Sequence, residues 1–178
     1  KWLVLCIKSV INQTYNNWEL CIADDCSTKP HIKKILDQYS QMDSRIKVVY
    51  RTENGHICEA TNSAIKIANG EYVALLDNDD ELSPNALYEI AKVLNVDPTY
   101  DLIYSDEDKI DKNGKRRDPA FKSDWAPDTL LSTNYISHLG VYRKNIIQQI
   151  GGFRKGYEGA QDYDLVLRFT EKTDRIAH

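Results

Sequence analysis

Asp77, Asn78, Asp79, Asp80 and Glu81 put four carboxylates into five consecutive positions, directly after an apolar run at residues 72–76. Charges this dense repel one another and call for a compensating cation. The apolar run reads as a buried strand. In an α/β protein the C-terminal end of a strand is where ligands bind. Hard oxygen donors of this kind suit Mg²⁺ or Mn²⁺, with a substrate phosphate completing the shell. Asp24 and Asp25 end a second apolar stretch, residues 18–23, in the same way. Parallel strands would bring both acidic ends to one sheet edge. Helix capping is the competing account. It explains Asp24 as well as function does, but it does not call for so many acids after residue 76.

The elements that must position these acids can be read from periodicity. Residues 2–14 place Leu3, Ile7, Val10 and Ile11 at helical spacing, although residues 2–7 alone also fit a strand. A strand at 18–23 leads to a helix at 31–39, capped by Ser27 or Thr28 and with Pro30 in its first turn. Residues 46–50 form a β-branched strand. A loop follows in which Gly55 can supply a positive φ. A helix at 57–68 closes at Asn69-Gly70. Ser83 and Pro84 open a helix over 85–94. Another strand, 101–105, again ends in acids: Asp106, Glu107 and Asp108. Asn113-Gly114 marks a tight turn. Residues 115–134 lack a clean period and read as loop and short helix. A strand at 135–142, a short helix at 144–149 and a helix at 162–170 complete the chain. Alternating strands and helices predict an α/β domain, a mostly parallel central sheet flanked by helices. No linker or internal repeat divides residues 1–178, which read as a single domain.

At 178 residues the chain is long enough for a real core, and its net charge is −4. That balance argues against a nucleic-acid binder. The one dense basic run, Lys115, Arg116 and Arg117, reads as a solvated loop. No apolar run is long enough to span a bilayer. Cys6, Cys21, Cys26 and Cys58 make no Cys-x-x-Cys pair, which argues against a zinc site and for reduced thiols in a cytoplasmic setting. Nucleotide-binding glycine motifs are absent. A calcium loop beginning at Asp77 fails at its sixth position, Leu82, and its twelfth, Tyr88.

Several motifs together resemble a known family. They are Ser9-Val10-Ile11-Asn12-Gln13-Thr14-Tyr15, Glu19-Leu20-Cys21-Ile22-Ala23-Asp24-Asp25-Cys26-Ser27-Thr28, Glu53-Asn54-Gly55-His56-Ile57 with Ala60-Thr61-Asn62, and Leu76-Asp77-Asn78-Asp79-Asp80. Tyr104-Ser105-Asp106-Glu107-Asp108, Gly151-Gly152-Phe153 and Gln161-Asp162-Tyr163-Asp164-Leu165 extend the match over nearly the whole chain. The pattern resembles family 2 glycosyltransferases of the GT-A fold, in the subgroup that builds bacterial surface polysaccharides. The resemblance implies that Asp25 binds the donor base, most often uracil. It implies that Asp77 and Asn78 contact the nucleotide-sugar, that Asp79 holds Mn²⁺ or Mg²⁺ on the diphosphate, and that Asp162 is the catalytic base. Gln161 stands where the family usually has Glu, and Thr61 where it has Arg. The family's first strand, ahead of the first helix, is expected to be missing here. A further family histidine that completes the metal shell would follow the base, and His178 is not assigned to it.

The implied activity is an inverting, metal-dependent transfer of a sugar from a nucleotide-diphosphate donor, a UDP-sugar by preference. The implied acceptor is a saccharide or lipid-linked molecule, and the implied place is the cytoplasm, with association at the inner face of the cytoplasmic membrane. A non-catalytic nucleotide-sugar or metal-binding module is the alternative. Nucleotidyl transfer would need a glycine-rich loop with a basic residue near the amino end, which is not seen. Acceptor choice is expected to lie in residues 115–140. Trp125 and Tyr135 there have faces that can stack on a sugar, although core packing is the simpler job for each.

Overall fold

The computed structural model describes every residue from Lys1 to His178. Helix α1 (Trp2–Ile11) buries Cys6, Ile7 and Val10 at helical spacing. The segment that also fitted a strand is therefore helical, and Ile7 packs with Leu36, Tyr39 and Ile46. Strand β1 (Leu20–Asp24) runs parallel to a later strand, so the chain between them must cross over. Helix α2 (Pro30–Met42) makes that crossover, with Pro30 in its first turn. Its N-cap is Lys29 without a side-chain bond, so neither Ser27 nor Thr28 caps it. In β2 (Ile46–Tyr50), Ile46 stands opposite Leu20 and Tyr50 opposite Asp24.

Helix α3 (His56–Ile67) leads to β3 (Tyr72–Ala74), α4 (Ala86–Val96) and β4 (Leu102–Tyr104). Beyond lie the hairpin β5 (Glu107–Ile110) and β6 (Arg116–Ala120), then α5 (Pro127–Leu130), β7 (Gly140–Arg143), α6 (Lys144–Gln149), α7 (Gln161–Thr170) and β8 (Ile176–Ala177). Strands β3, β7, β4 and β8 form one sheet in that order. β7 is antiparallel to both β3 and β4, while β8 is parallel to β4. Three of the four strands thus run one way, which keeps the mostly parallel layout expected, and only β7 is reversed, which makes the sheet mixed. The reason is the route of the chain. It leaves β4, makes the β5–β6 hairpin, and returns between β3 and β4 from the end of the sheet where β4 left it, so no crossover helix turns β7 round.

Alternation along β4 sorts the two faces. Leu102 and Tyr104 pack with Tyr142, with Cys58 and Ile65 of α3, and with Leu165, Val166 and Phe169 of α7. Ile103 and Val141 face the other way, toward Ile90, Val93 and Leu94 of α4. A separate cluster joins α1, α2 and β2.

β1 pairs only with β2, and β3 only with β7. Their other edges face a cavity of about 940 Å³, lined by Ile7 and Val10 of α1, Ala60 and Ala64 of α3, and Leu87 and Ile90 of α4. Strand edges and apolar helix faces thus line this slot on several sides.

The acidic loop after β3 is strapped to α1. Cys6 Sγ donates to the Asp77 carbonyl (3.4 Å), and the Leu82 N–H donates to Ser9 Oγ (3.0 Å). Gln13, 4 % exposed, donates to the Ser83 carbonyl (2.7 Å) and accepts from the Leu87 N–H (3.0 Å). Ser83 therefore serves through its backbone; the N-cap of α4 is Asn85. Replacing Gln13 with Met keeps the bulk but removes both bonds, leaving the half-buried Leu87 N–H without its partner, while the Ser83 carbonyl keeps the Ala86 N–H. Chemical denaturation should show a loss of about 1–3 kcal/mol, and an unchanged midpoint would show the strap to be dispensable.

Candidate functional site

The acids gather beyond the C-terminal end of β3. His138 Nε2 lies 3.7 Å from an Asp77 carboxylate oxygen and 4.0 Å from one of Asp80. One donor atom from each of these three residues falls within 4.8 Å of the others. Burial raises the Asp80 carboxyl above its ordinary value; His138 pulls it down, and Asp77, Asp79 and Glu107 push it further up. Asp162, in the first turn of α7, is also raised, by burial first and then by Asp77, with His138 and Gln161 opposing. Asp162 is thus near enough to Asp77 and His138 of the three-donor group to feel their charge. The Cys6 thiol records the same field. Burial first, and then Asp80 and Asp77, push it up to about 12, so it stays a neutral donor under the loop. Two carboxylates and an imidazole at this separation fit one divalent ion: the oxygens suit Mg²⁺ or Mn²⁺, and the nitrogen favours Mn²⁺.

Asp25 is held by Arg51 and by the residues that open α3. Its carboxylate takes Arg51 Nε at 2.8 Å and the Gly55 N–H at 3.0 Å. Arg51 also reaches the Glu59 carbonyl and Ser63 Oγ on α3. Gly55 is required for room rather than for a positive φ. Its φ is −120°, and a Cβ there would meet Arg51 Nη2 at 2.5 Å and Glu59 Cβ at 2.6 Å. The same helix turn points toward α7: the Cys58 thiol is raised by burial and then by Glu158 and Asp162. The first turn of α3 therefore spans from Asp25 to the neighbourhood of Asp162.

Helix α7 is anchored from several sides. Asn62 donates to the Phe153 carbonyl (2.8 Å) and accepts from its N–H (2.9 Å). Gly152 sits against that amide, where a Cβ would be 2.5 Å from Asn62 Oδ1. Arg168 donates to the Ile150 and Gly152 carbonyls, both at 2.8 Å, and to the buried Asp164 at 2.6 Å. Arg154 closes on the same carboxylate. Gln161 donates to Asp162 Oδ2 at 3.0 Å and accepts from the Gly159 N–H at 2.6 Å. An ionised glutamate could not donate to Asp162, so the replacement changes how the carboxylate is oriented.

Residues 1–151 match the sequence model described as Glycosyl transferase family 2. The chain belongs to this family. Uncharacterized protein y4gI of Sinorhizobium fredii is 51 % identical over 177 residues, covering 99 % of this chain and 20 % of its own length. The O-antigen biosynthesis protein RfbC of Myxococcus xanthus is 42 % identical over 173 residues, covering 97 % of this chain and 14 % of its own. The chain thus spans a fifth or less of either relative. Among solved structures, TarS 1–349 of S. aureus in complex with UDP aligns with a TM-score of 0.80 at 22 % identity, over 99 % of this chain and 53 % of that one. The mannosyltransferase PcManGT of Pyrobaculum calidifontis, with GDP-Man and Mn²⁺, gives 0.73 at 17 %, over 99 % and 50 %. The fold is GT-A, α/β with one parallel and one mixed sheet.

Within this family-2 domain the sequence-assigned residues are distributed unevenly. Asp77 belongs to the three-donor group. Asn78 and Asp79 are exposed in the same loop, and Asp79 acts on Asp80 and Cys6 through charge alone. Asp80 and His138 were not singled out. Asp80 lay in the acidic run, but nothing in the sequence linked His138 to it. His178 stacks on Tyr104 at 5.0 Å and lies 3.0 Å from Asp106 and 3.3 Å from Asp124, outside the three-donor group. Thr61 lines the slot between β1 and β3. Trp125 and Tyr135 pack against the main core, and the Tyr135 hydroxyl accepts from the Ala126 N–H at 2.9 Å. No helix is long and apolar enough to cross a membrane.

The Asp164 anchor has a pH signature. Burial alone would raise its carboxyl, but the bonds from Arg154 and Arg168 outweigh burial and hold it below the ordinary 3.8. A depressed folded pKa contributes stability above the unfolded value and loses it as pH falls through the folded one. Asp164→Asn should cost about 3 kcal/mol at pH 7. Its thermal midpoint should also vary less than the parent's below about pH 4. Parallel acid limbs in the two proteins would contradict this.

Proposed function

We propose that residues 1–178 are a catalytic domain that moves a sugar from a nucleotide-diphosphate donor, a uridine one by preference, to a hydroxyl of a saccharide or lipid-linked acceptor during surface-polysaccharide synthesis. Membership of glycosyl transferase family 2 supports the reaction class. The printed descriptions of similar proteins support the substrate class: TarS in complex with UDP and with UDP-GlcNAc, RfbC in O-antigen biosynthesis, and an E. coli chondroitin synthase that is 27 % identical over 172 residues. The observation that carries the reading is the meeting of Asp77, Asp80 and His138 with Asp162 beyond one strand end.

In this reading Asp77, Asp80 and His138 would hold Mn²⁺ or Mg²⁺, Asp79 would add a further carboxylate to that ion on its diphosphate side, and Asn78 would reach the donor sugar from the exposed side of the loop. The bound ion would supply charge neutralisation at the departing diphosphate. Asp25, held by Arg51 and Gly55, accepts a hydrogen bond from the donor base. Asp162 takes the proton of the acceptor hydroxyl as that oxygen attacks the anomeric carbon from the face opposite the leaving group. A single displacement of this kind inverts the configuration. The raised carboxyl of Asp162 suits a base better than an ordinary aspartate would, and Gln161 steadies it in its acceptor-facing position.

Asp162→Asn should lower transfer by roughly 10²–10⁴-fold and leave UDP binding in the presence of Mn²⁺ near the parent value by calorimetry. Asp25→Ala should do the reverse, weakening UDP by roughly tenfold or more. Loss of UDP binding in Asp162→Asn would remove that residue from the base role. UDP binding by the parent chain without donor hydrolysis or transfer would favour a non-catalytic binding module.

A further inference from the structure

Lys122 is a charged residue with no part in the account so far, and it is the wrong kind of residue for its surroundings. Its side chain is 5 % exposed. Burial lowers its ammonium pKa, with Glu107 and Asp106 opposing. A buried ammonium is costly unless each of its protons finds an acceptor. Here three acceptors surround it: the Ile136 carbonyl at 2.7 Å, the His138 carbonyl, and Glu107 Oε2 at 3.4 Å.

Two of those acceptors converge on one residue. Glu107 Oε2, which pairs with Lys122, also accepts the His138 N–H at 3.1 Å. The main chain of His138 is therefore gripped at both ends, its N–H by the carboxylate and its carbonyl by the ammonium. The next residue is tied as well, the Leu139 N–H donating to Ser105 Oγ at 3.4 Å. The imidazole has no such support. Nδ1 is buried without a partner, and Nε2 faces Asp77 and Asp80. No hydrogen bond to the ring fixes its direction, so the backbone grip has to. A loop that merely needed closing could be covered by an apolar side chain at no ionic cost.

We propose that Lys122 and Glu107 are positioning residues, an ion pair that grips the backbone of His138 and so aims its imidazole at the space shared with Asp77 and Asp80. This rests on the reading of that space as the divalent-ion site of the transferase. The partners of a metal-ligating histidine commonly change affinity by 10–100-fold when removed. Here the supporting contacts reach the histidine through its main chain instead of its free ring nitrogen.

The test uses the chain with ¹³C-labelled histidine. Its four histidines, His31, His56, His138 and His178, give separate ring signals, and His138→Gln identifies one of them. Mn²⁺ is titrated with UDP present, at a temperature where each variant is folded. In the parent chain the His138 ring signal should broaden first. In Lys122→Met the Mn²⁺ concentration for half-broadening should rise by roughly 10–100-fold. Glu107→Ala, at a more exposed residue, should shift it the same way and keeps the test open if Lys122→Met does not fold. Broadening of His138 at the same concentration in folded variants would overturn the positioning role and leave the ion site standing. Mn²⁺-dependent UDP binding without broadening of His138 would overturn the proposal and move the ion elsewhere in the acidic loop. Absence of any Mn²⁺ effect on UDP binding or on the ring signals would overturn both.

Discussion

Negative charge is concentrated beyond the end of β3 with no lysine or arginine to offset it. Asp77 and Asp80 pair only with His138, and Asp79, Glu81 and Asp162 form no ion pair. Elsewhere this chain neutralises buried acids with arginine: Asp25 with Arg51, Asp101 with Arg143, and Asp164 with Arg154 and Arg168. Burial first, and then the uncompensated charge of neighbouring acids, raises the carboxyls of Asp80 and Asp162. Such a group is one that a divalent cation would neutralise, and the surrounding structure holds it in place.

Much of the molecule can be understood as that restraint. Cys6, Ser9 and Gln13 pull the acidic loop onto α1 from one face of the sheet. Asn62, Arg168 and Asp164 lock the turn before α7, and with it Asp162, onto the other face. β7, entering antiparallel between β3 and β4, carries His138 just ahead of it to the end of β3. Arg51 sets Asp25 against the first turn of α3, whose next residues feel the charge of Asp162. Helices on both sides of the sheet and the inverted β7 are what let residues far apart in sequence share one hollow.

How much of this the sequence disclosed differs from residue to residue. α6, at Lys144–Gln149, begins and ends where its pattern placed it. Asp77 stands out in the sequence because helix capping does not call for so many acids after one strand, whereas Asp25 and Asp162 take their expected roles from the family resemblance, since a lone acid at a strand end or helix start is also an ordinary cap. β6 was not visible: Arg116–Ala120 is exposed throughout and contains Pro119, so it shows no alternation to read. Arg116 and Arg117 of the basic run open a hairpin strand, with Lys115 in the turn before it, rather than lying in the loop expected. The direction of β7 could not be inferred because it depends on where the chain re-enters the sheet, which no local pattern records. His138 was hidden for the same reason, since its proximity to Asp77 exists only once β7 lies beside β3. Gly55 and Gln161 matter through properties that the sequence pattern does not carry. One is needed for space beside Arg51, the other for the hydrogen bond it can donate to Asp162.

The central claim is that these acids and His138 share one divalent ion. Crystals grown with UDP and Mn²⁺, measured at the manganese absorption edge, test it most directly. The account predicts a single anomalous peak between the Asp77 and Asp80 carboxylates and the His138 imidazole, beside the UDP diphosphate. A manganese peak away from that trio, or ordered UDP with no manganese near its phosphates, would contradict it.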